Sequence, residues 1–135
     1  MAKMIFVNLP VKDLKKSMDF YTKVGFKNDP QFTGEREASM VWSENIYVML
    51  LTRERFKDFT KKQVGDSSTT ALVINALSCE SSKDVLDTFD KALKAGGKES
   101  NAPQEYDFMI ARSFEDPDGH LWELVYMDIS KFPKQ

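Results

Sequence analysis

Few side chains in this sequence suit chemistry, and most of them lie close together near its end. The stretch Asp116-Pro117-Asp118-Gly119-His120 leads into Leu121-Trp122-Glu123-Leu124-Val125-Tyr126-Met127. Glu123 is a lone carboxylate in an apolar run, where an unpartnered charge is costly. Two readings stand open for it. It is a base or polar anchor facing a cavity, or it is a structural carboxylate bonded to a hydroxyl, a water or Arg112. Arg112 could receive an anionic substrate group, although a cross-strand acidic partner is the more ordinary arrangement. His120 is the only histidine and could shuttle protons; directly after Asp-Gly it reads first as a solvated turn residue. Cys79 precedes a helix start, but no base partner is evident, so it reads as a small inert side chain.

These groups need elements to hold them. Asp116 to Gly119 has turn chemistry: proline presets φ and Asp-Gly accepts a left-handed conformation. Leu121 to Met127 reads as a strand, with Leu121, Glu123 and Val125 on one face and Trp122, Leu124 and Tyr126 on the other. Earlier in the chain, Met4 to Leu9 is a short strand. Asp13 is the expected N-cap of a helix whose apolar stripe is Leu14, Met18, Tyr21 and Val24, and Gly25 ends it. Phe26 to Asn28, Ala38 to Trp42 and Tyr47 to Thr52 read as strands. Arg53 to Ser68 is polar and suggests a short helix followed by a loop. Thr69 to Leu77 reads as the next strand. Ser81 and Asp84 cap a second helix, with Val85, Leu86, Phe89 and Leu93 as its stripe and Gly96-Gly97 as its stop. Lys98 to Ser100 restarts the chain, a loop follows near Pro103, and Tyr106 to Phe114 is a strand. The order βαβββ therefore occurs twice, as module one, about residues 4–55, and module two, about 69–128, within a single domain. A unit of this size cannot bury both faces of its own sheet.

With 135 residues, 41% hydrophobic and 12% aromatic, the chain can build a core. Net charge is −2 with both signs interspersed, and no basic block points to nucleic acid. One cysteine excludes an internal disulfide framework and a multi-cysteine zinc cluster. The N-terminus meets charge too early for a signal peptide and no run suits a membrane span, so a cytoplasmic location is expected.

FVNLPVKDLKKSMDFYTKVGF at the start, SFEDPDGHLWELVYMD at the end and DVLDTFDKALKAGG between them resemble the vicinal oxygen chelate superfamily: glyoxalases, extradiol dioxygenases and bleomycin-resistance proteins. The likeness is greatest to its lactoylglutathione lyase-like branch. It implies an α+β fold in which two βαβββ modules form a curved mixed sheet around a cavity. In metal-dependent members, four side chains from the first and last strands of each module hold a divalent ion. Carried over, those positions fall on Phe6, Leu50, a residue near Thr69, and Glu123. Only Glu123 is an ordinary ligand for a divalent metal, so no cofactor is expected and a divalent metal is disfavoured. The expected function is metal-independent binding or sequestration of a small molecule. Its pocket would draw on Phe6, Leu50, Thr69, Phe108, Arg112 and Glu123, with Glu123 the candidate catalytic group. The alternative is an enzyme: a metal-dependent lyase, isomerase or dioxygenase, or a metal-free one with Glu123 as base. Phe6, Trp42, Tyr47, Phe108 and Trp122 are the aromatics available to stack a flat ligand. Open sheet edges and the family habit point to a homodimer.

Overall fold

Two βαβββ units follow one another along the chain in the computed structural model, which describes residues 2–132. The first comprises β1 (Ile5–Val11), α1 (Leu14–Val24), β2 (Lys27–Asp29), β3 (Glu37–Ser43) and β4 (Ile46–Thr52). A short helix, α2 (Arg53–Lys57), and a linker lead to β5 (Ile74–Ser78), α3 (Ser82–Lys94), β6 (Lys98–Tyr106), β7 (Met109–Glu115) and β8 (Leu121–Met127). Each module makes its own four-stranded mixed sheet, ordered β1-β4-β3-β2 and β5-β8-β7-β6. In both, the first strand runs parallel to the last and lies at a sheet edge.

The helices form where their caps direct. Asp13 accepts from the Lys16 amide at the start of α1, and Ser81 accepts from the Asp84 amide at the start of α3. Gly25 ends α1 at φ +131°, a backbone conformation that suits glycine. The buried face of α1 is Ser17, Phe20, Tyr21 and Val24, so Leu14 and Met18 lie at its margin. On α3, Val85, Thr88 and Ala92 are buried, whereas Leu86 and Leu93 are exposed. Val85 and Phe89 of the expected stripe pack in the core, but Leu86 and Leu93 do not, because the small residues Thr88 and Ala92 take the face that approaches the sheet.

The two helix-covered sheet faces share one core. Phe20 meets Phe114, and both Tyr21 and Phe26 set their rings edge-on to Trp122. These contacts join module one to module two, and burial of each such ring contributes about 1.5–3 kcal/mol. Trp122 and Leu124 point into this core, while Glu123 lies on the opposite face of β8.

Two strand boundaries differ from expectation. The segment from Thr69 to Val73 is not a strand; β5 begins at Ile74. Asp66 holds the preceding residues in a turn, accepting from the Ser68 amide with its carboxylate and from the Thr69 and Thr70 amides with its carbonyl. These local bonds outcompete the β preference of the threonines. Conversely, β6 continues through Pro103, which a strand tolerates because β6 is the sheet edge and its register shifts there. Asp107 and Phe108 then form the turn into β7, so Tyr106 belongs to β6 rather than to the strand that follows.

Candidate functional site

The turn from Asp116 to His120 is bonded to α1, to β1, to Lys12 and to the linker. Asp116 is buried. Its Oδ1 accepts from the amides of Asp118 and His120, at 2.9 and 2.8 Å, and its Oδ2 accepts from the Tyr21 hydroxyl at 2.5 Å. The same Tyr21 oxygen accepts from Trp122 Nε1 at 2.9 Å. Burial, then the charge of Asp116, holds the Tyr21 hydroxyl well above its ordinary range, so it stays a donor. Asp118 accepts from the Lys12 amide at 2.8 Å and from Ser17 Oγ at 3.2 Å. Its carbonyl accepts from Ser67 Oγ at 2.7 Å. His120 Nε2 lies 2.7 Å from the Pro10 carbonyl. A carbonyl only accepts, so Nε2 carries the proton. His120 is thus a tie from the turn to β1 rather than a solvated turn residue.

Beside this turn is a cavity of about 370 Å³. Its walls come from both modules and the linker: Asn8 and Pro10 of β1, Val64 and Ser67, Asn75 of β5 and Leu121 of β8. The linker forms its roof and is tied down at two points. Arg53 donates to the carbonyls of Val64 and Gly65, both at 3.0 Å, and Ser67 is bonded to the turn. Gly119 lies so near that an added Cβ would stand 2.4 Å from the Ser67 carbonyl oxygen, and its φ is +86°. Cavities of this size, mostly apolar and with a few polar groups, suit small molecules.

The six pocket positions drawn from the sequence do not meet at this cavity, and none of them lines it. Phe6 is half exposed and stacks on Tyr47 across β1 and β4, at 4.8 Å between ring centres. Leu50 is wholly buried: strand alternation puts it with Val48 and Leu9 in the helix-facing core, while Met49 and Tyr47 take the face that Phe6 occupies. Thr69 sits in the Asp66 turn. The seven-residue step from Phe6 to the N-cap Asp13, repeated back from Ser81, lands instead on Ile74, the first residue of β5. Phe108 is at the far end of β7, against Tyr106 and Phe132. Arg112 and Glu123 project from opposite faces of their sheet, since Arg112 is opposite Leu124 and Glu123 opposite Ser113. Arg112 pairs with Glu105 of β6, the cross-strand arrangement. Glu123 is half-buried and forms no ion pair with another described residue.

A divalent ion finds no matching donor set. Phenyl and isobutyl groups at Phe6 and Leu50 offer no ligand atoms, and among the described residues no three His, Cys, Asp or Glu side chains converge. Trp122, Met40 and the Tyr21 ring are core rather than ligand-facing. Cys79 is half-buried, and burial, then Asp84, pushes its thiol up to about 11, consistent with an unreactive side chain. Asp116 and Tyr21 escaped the sequence reading. The signal available was the first Asp of Asp-Pro-Asp-Gly, a residue type that readily bonds amides two residues on.

Comparison with known proteins agrees with the architecture. The structure superimposes on the hypothetical protein SA1046 from S. aureus with a TM-score of 0.76 at 24% identity, covering 93% of this chain and 95% of that one. A glyoxalase-related enzyme from Fulvimarina pelagi gives 0.77 at 17% identity, covering 93% and 88%. A glyoxalase/bleomycin resistance protein/dioxygenase family enzyme from Burkholderia phytofirmans PsJN gives 0.75 at 16% identity, covering 93% and 99%. At these identities the likeness speaks for the fold alone. No curated protein matches the sequence. The family model for the glyoxalase/bleomycin resistance protein/dioxygenase superfamily matches residues 3–124, nearly the whole chain, and the protein belongs to that superfamily.

Proposed function

We propose that this protein binds a small molecule, without a resident metal, in the cavity between its two modules. The observation that carries this reading is the cavity itself, about 370 Å³ and walled by β1, β5, β8 and the linker. The side chains at the four carried-over metal positions support the metal-free part, since they cannot supply an ordinary coordination sphere. Glu123 stands outside the cavity lining. We also propose a homodimer. β1 and β5 are edge strands with unpaired backbone groups, and Ile5, Phe6 and Ile74 are exposed along them. No helix among the described residues is long and apolar enough to cross a membrane.

The test uses protein purified without added metal. Elemental analysis should find no stoichiometric transition metal, and a small-molecule library should give thermal shifts that Ala71→Trp abolishes. Ala71 is exposed and lines the cavity, so the indole fills it without disturbing the core. A metal at one equivalent, or shifts indifferent to Ala71→Trp, would refute the reading.

A further inference from the structure

We infer that the molecule taken by this cavity is uncharged: an apolar body bearing a carboxamide, lactam or similar group that both donates and accepts hydrogen bonds. This rests on the cavity being the binding site, as proposed above. Three observations lead to it.

The first is charge. Lys62 and Asp66 are the only Lys, Arg, Asp or Glu residues along the lining, one of each sign, and both are exposed. A charged ligand group in the interior would meet no fixed counter-charge there, and an unpaired charge out of water is expensive.

The second is hydrogen-bonding capacity. Asn75 lines the cavity, is half-buried, and its carboxamide bonds to no other described residue. It offers one acceptor and two donor hydrogens. Asn8 donates its side-chain N–H to the Phe6 carbonyl, 3.2 Å away, which leaves its amide oxygen as an acceptor. His120 gives its Nε2 proton to Pro10, so in the uncharged ring Nδ1 is also an acceptor. The lining thus carries both kinds of group: Asn75 and Gln63 offer donors and acceptors, Asn8 and His120 add acceptors, and Thr60, whose Oγ1 accepts from the Lys62 amide, adds a hydroxyl donor. That pattern favours a neutral group with N–H or O–H hydrogens and a carbonyl.

The third is that the backbone carrying these polar residues is held in place. His120 is tied to Pro10, and its own amide to Asp116. Asn8 and Asn75 sit on strands, each paired with the last strand of its module. A backbone fixed before binding reduces the entropy lost when these groups form hydrogen bonds, and polar groups left unpaired penalise ligands that cannot satisfy them.

The experiment titrates the full chain with naphthamide, naphthoate and naphthamidine, which share one apolar body and carry neutral, anionic and cationic heads. Naphthalene is the control without a head group. Binding is followed by the side-chain amide NMR signals of Asn8 and Asn75. Naphthamide is expected to bind at least about tenfold more tightly than either charged probe, about 1.4 kcal/mol, and to move the Asn75 side-chain signals. Asn75→Leu should weaken naphthamide by about tenfold and leave naphthalene unchanged. If that variant does not fold, the Asn75 signals of the native chain decide. A charged probe binding in the cavity as tightly as naphthamide overturns the ligand class but leaves the cavity reading intact. So does naphthamide binding that leaves the Asn75 signals unmoved. If none of the four compounds binds there, both readings fall.

Discussion

Tyr21→Phe isolates the bond network that joins the two modules. The Tyr21 ring is fully buried, and its hydroxyl both donates to Asp116 and accepts from Trp122. Removing one oxygen keeps the ring packing but breaks two hydrogen bonds. The bond to the Asp116 carboxylate accounts for about 1.5–3 kcal/mol, and a buried indole N–H left without an acceptor costs about 1–3 kcal/mol. Because both bonds share one atom, their effects overlap, and a loss of about 3 kcal/mol is expected. For a domain of this size that lowers Tm by roughly 10 °C. Burial raises the Asp116 carboxyl above its ordinary range, against the opposing influence of His120 and the Tyr21 hydroxyl. A carboxyl raised on folding contributes stability that is complete below its unfolded value, about 3.9, and is lost as pH rises through the folded value. Without the Tyr21 hydroxyl the folded value climbs further, so the deficit of the variant grows with pH and is smallest in acid. Guanidinium unfolding of both proteins at about pH 4.5 and about pH 7.5 measures this. A loss under about 0.5 kcal/mol at the higher pH, or an equal loss at both, would refute the account of the network.

Gly119→Ala should cost about 2 kcal/mol or more, from its positive φ and the collision with Ser67; an unchanged urea midpoint would contradict the close approach of linker and turn. Cys79, with its thiol pushed up to about 11, should react with a disulfide reagent at about pH 8 roughly a hundredfold more slowly than in the denatured chain. Equal rates would show the thiol to be open. Arg53→Gln removes the tie to the Val64 and Gly65 carbonyls and should speed chymotrypsin cleavage at the exposed Phe59 or Leu72 at least about threefold, with little change in global unfolding. No change in cleavage would show that the arginine does not hold the linker.

The βαβββ repeat was legible because its signals are local. Asp13 and Ser81 cap the helices they were expected to cap, Gly25 stops the first, and the alternation along Leu121 to Met127 separates Glu123 from Trp122 and Leu124. Composition and caps act over a few residues, so the sequence by itself determined the element types, the doubled order and the superfamily. It also determined that Phe6 and Leu50 bring no metal-binding atoms. What it could not determine was which distant groups meet. The Thr69 to Val73 segment looked like strand because the competing Asp66 bonds are invisible to β propensity. Leu50 looked ligand-facing because a one-residue shift along a strand exchanges its two faces. Only the tertiary structure brought Tyr21 to Asp116, His120 to Pro10 and Ser67 to Asp118, across separations of 95, 110 and 51 residues. The cavity exists because those long-range bonds fix the gap between β1, β5 and the linker. No pattern along the chain encodes a gap, since its shape depends on how the two modules pack against each other.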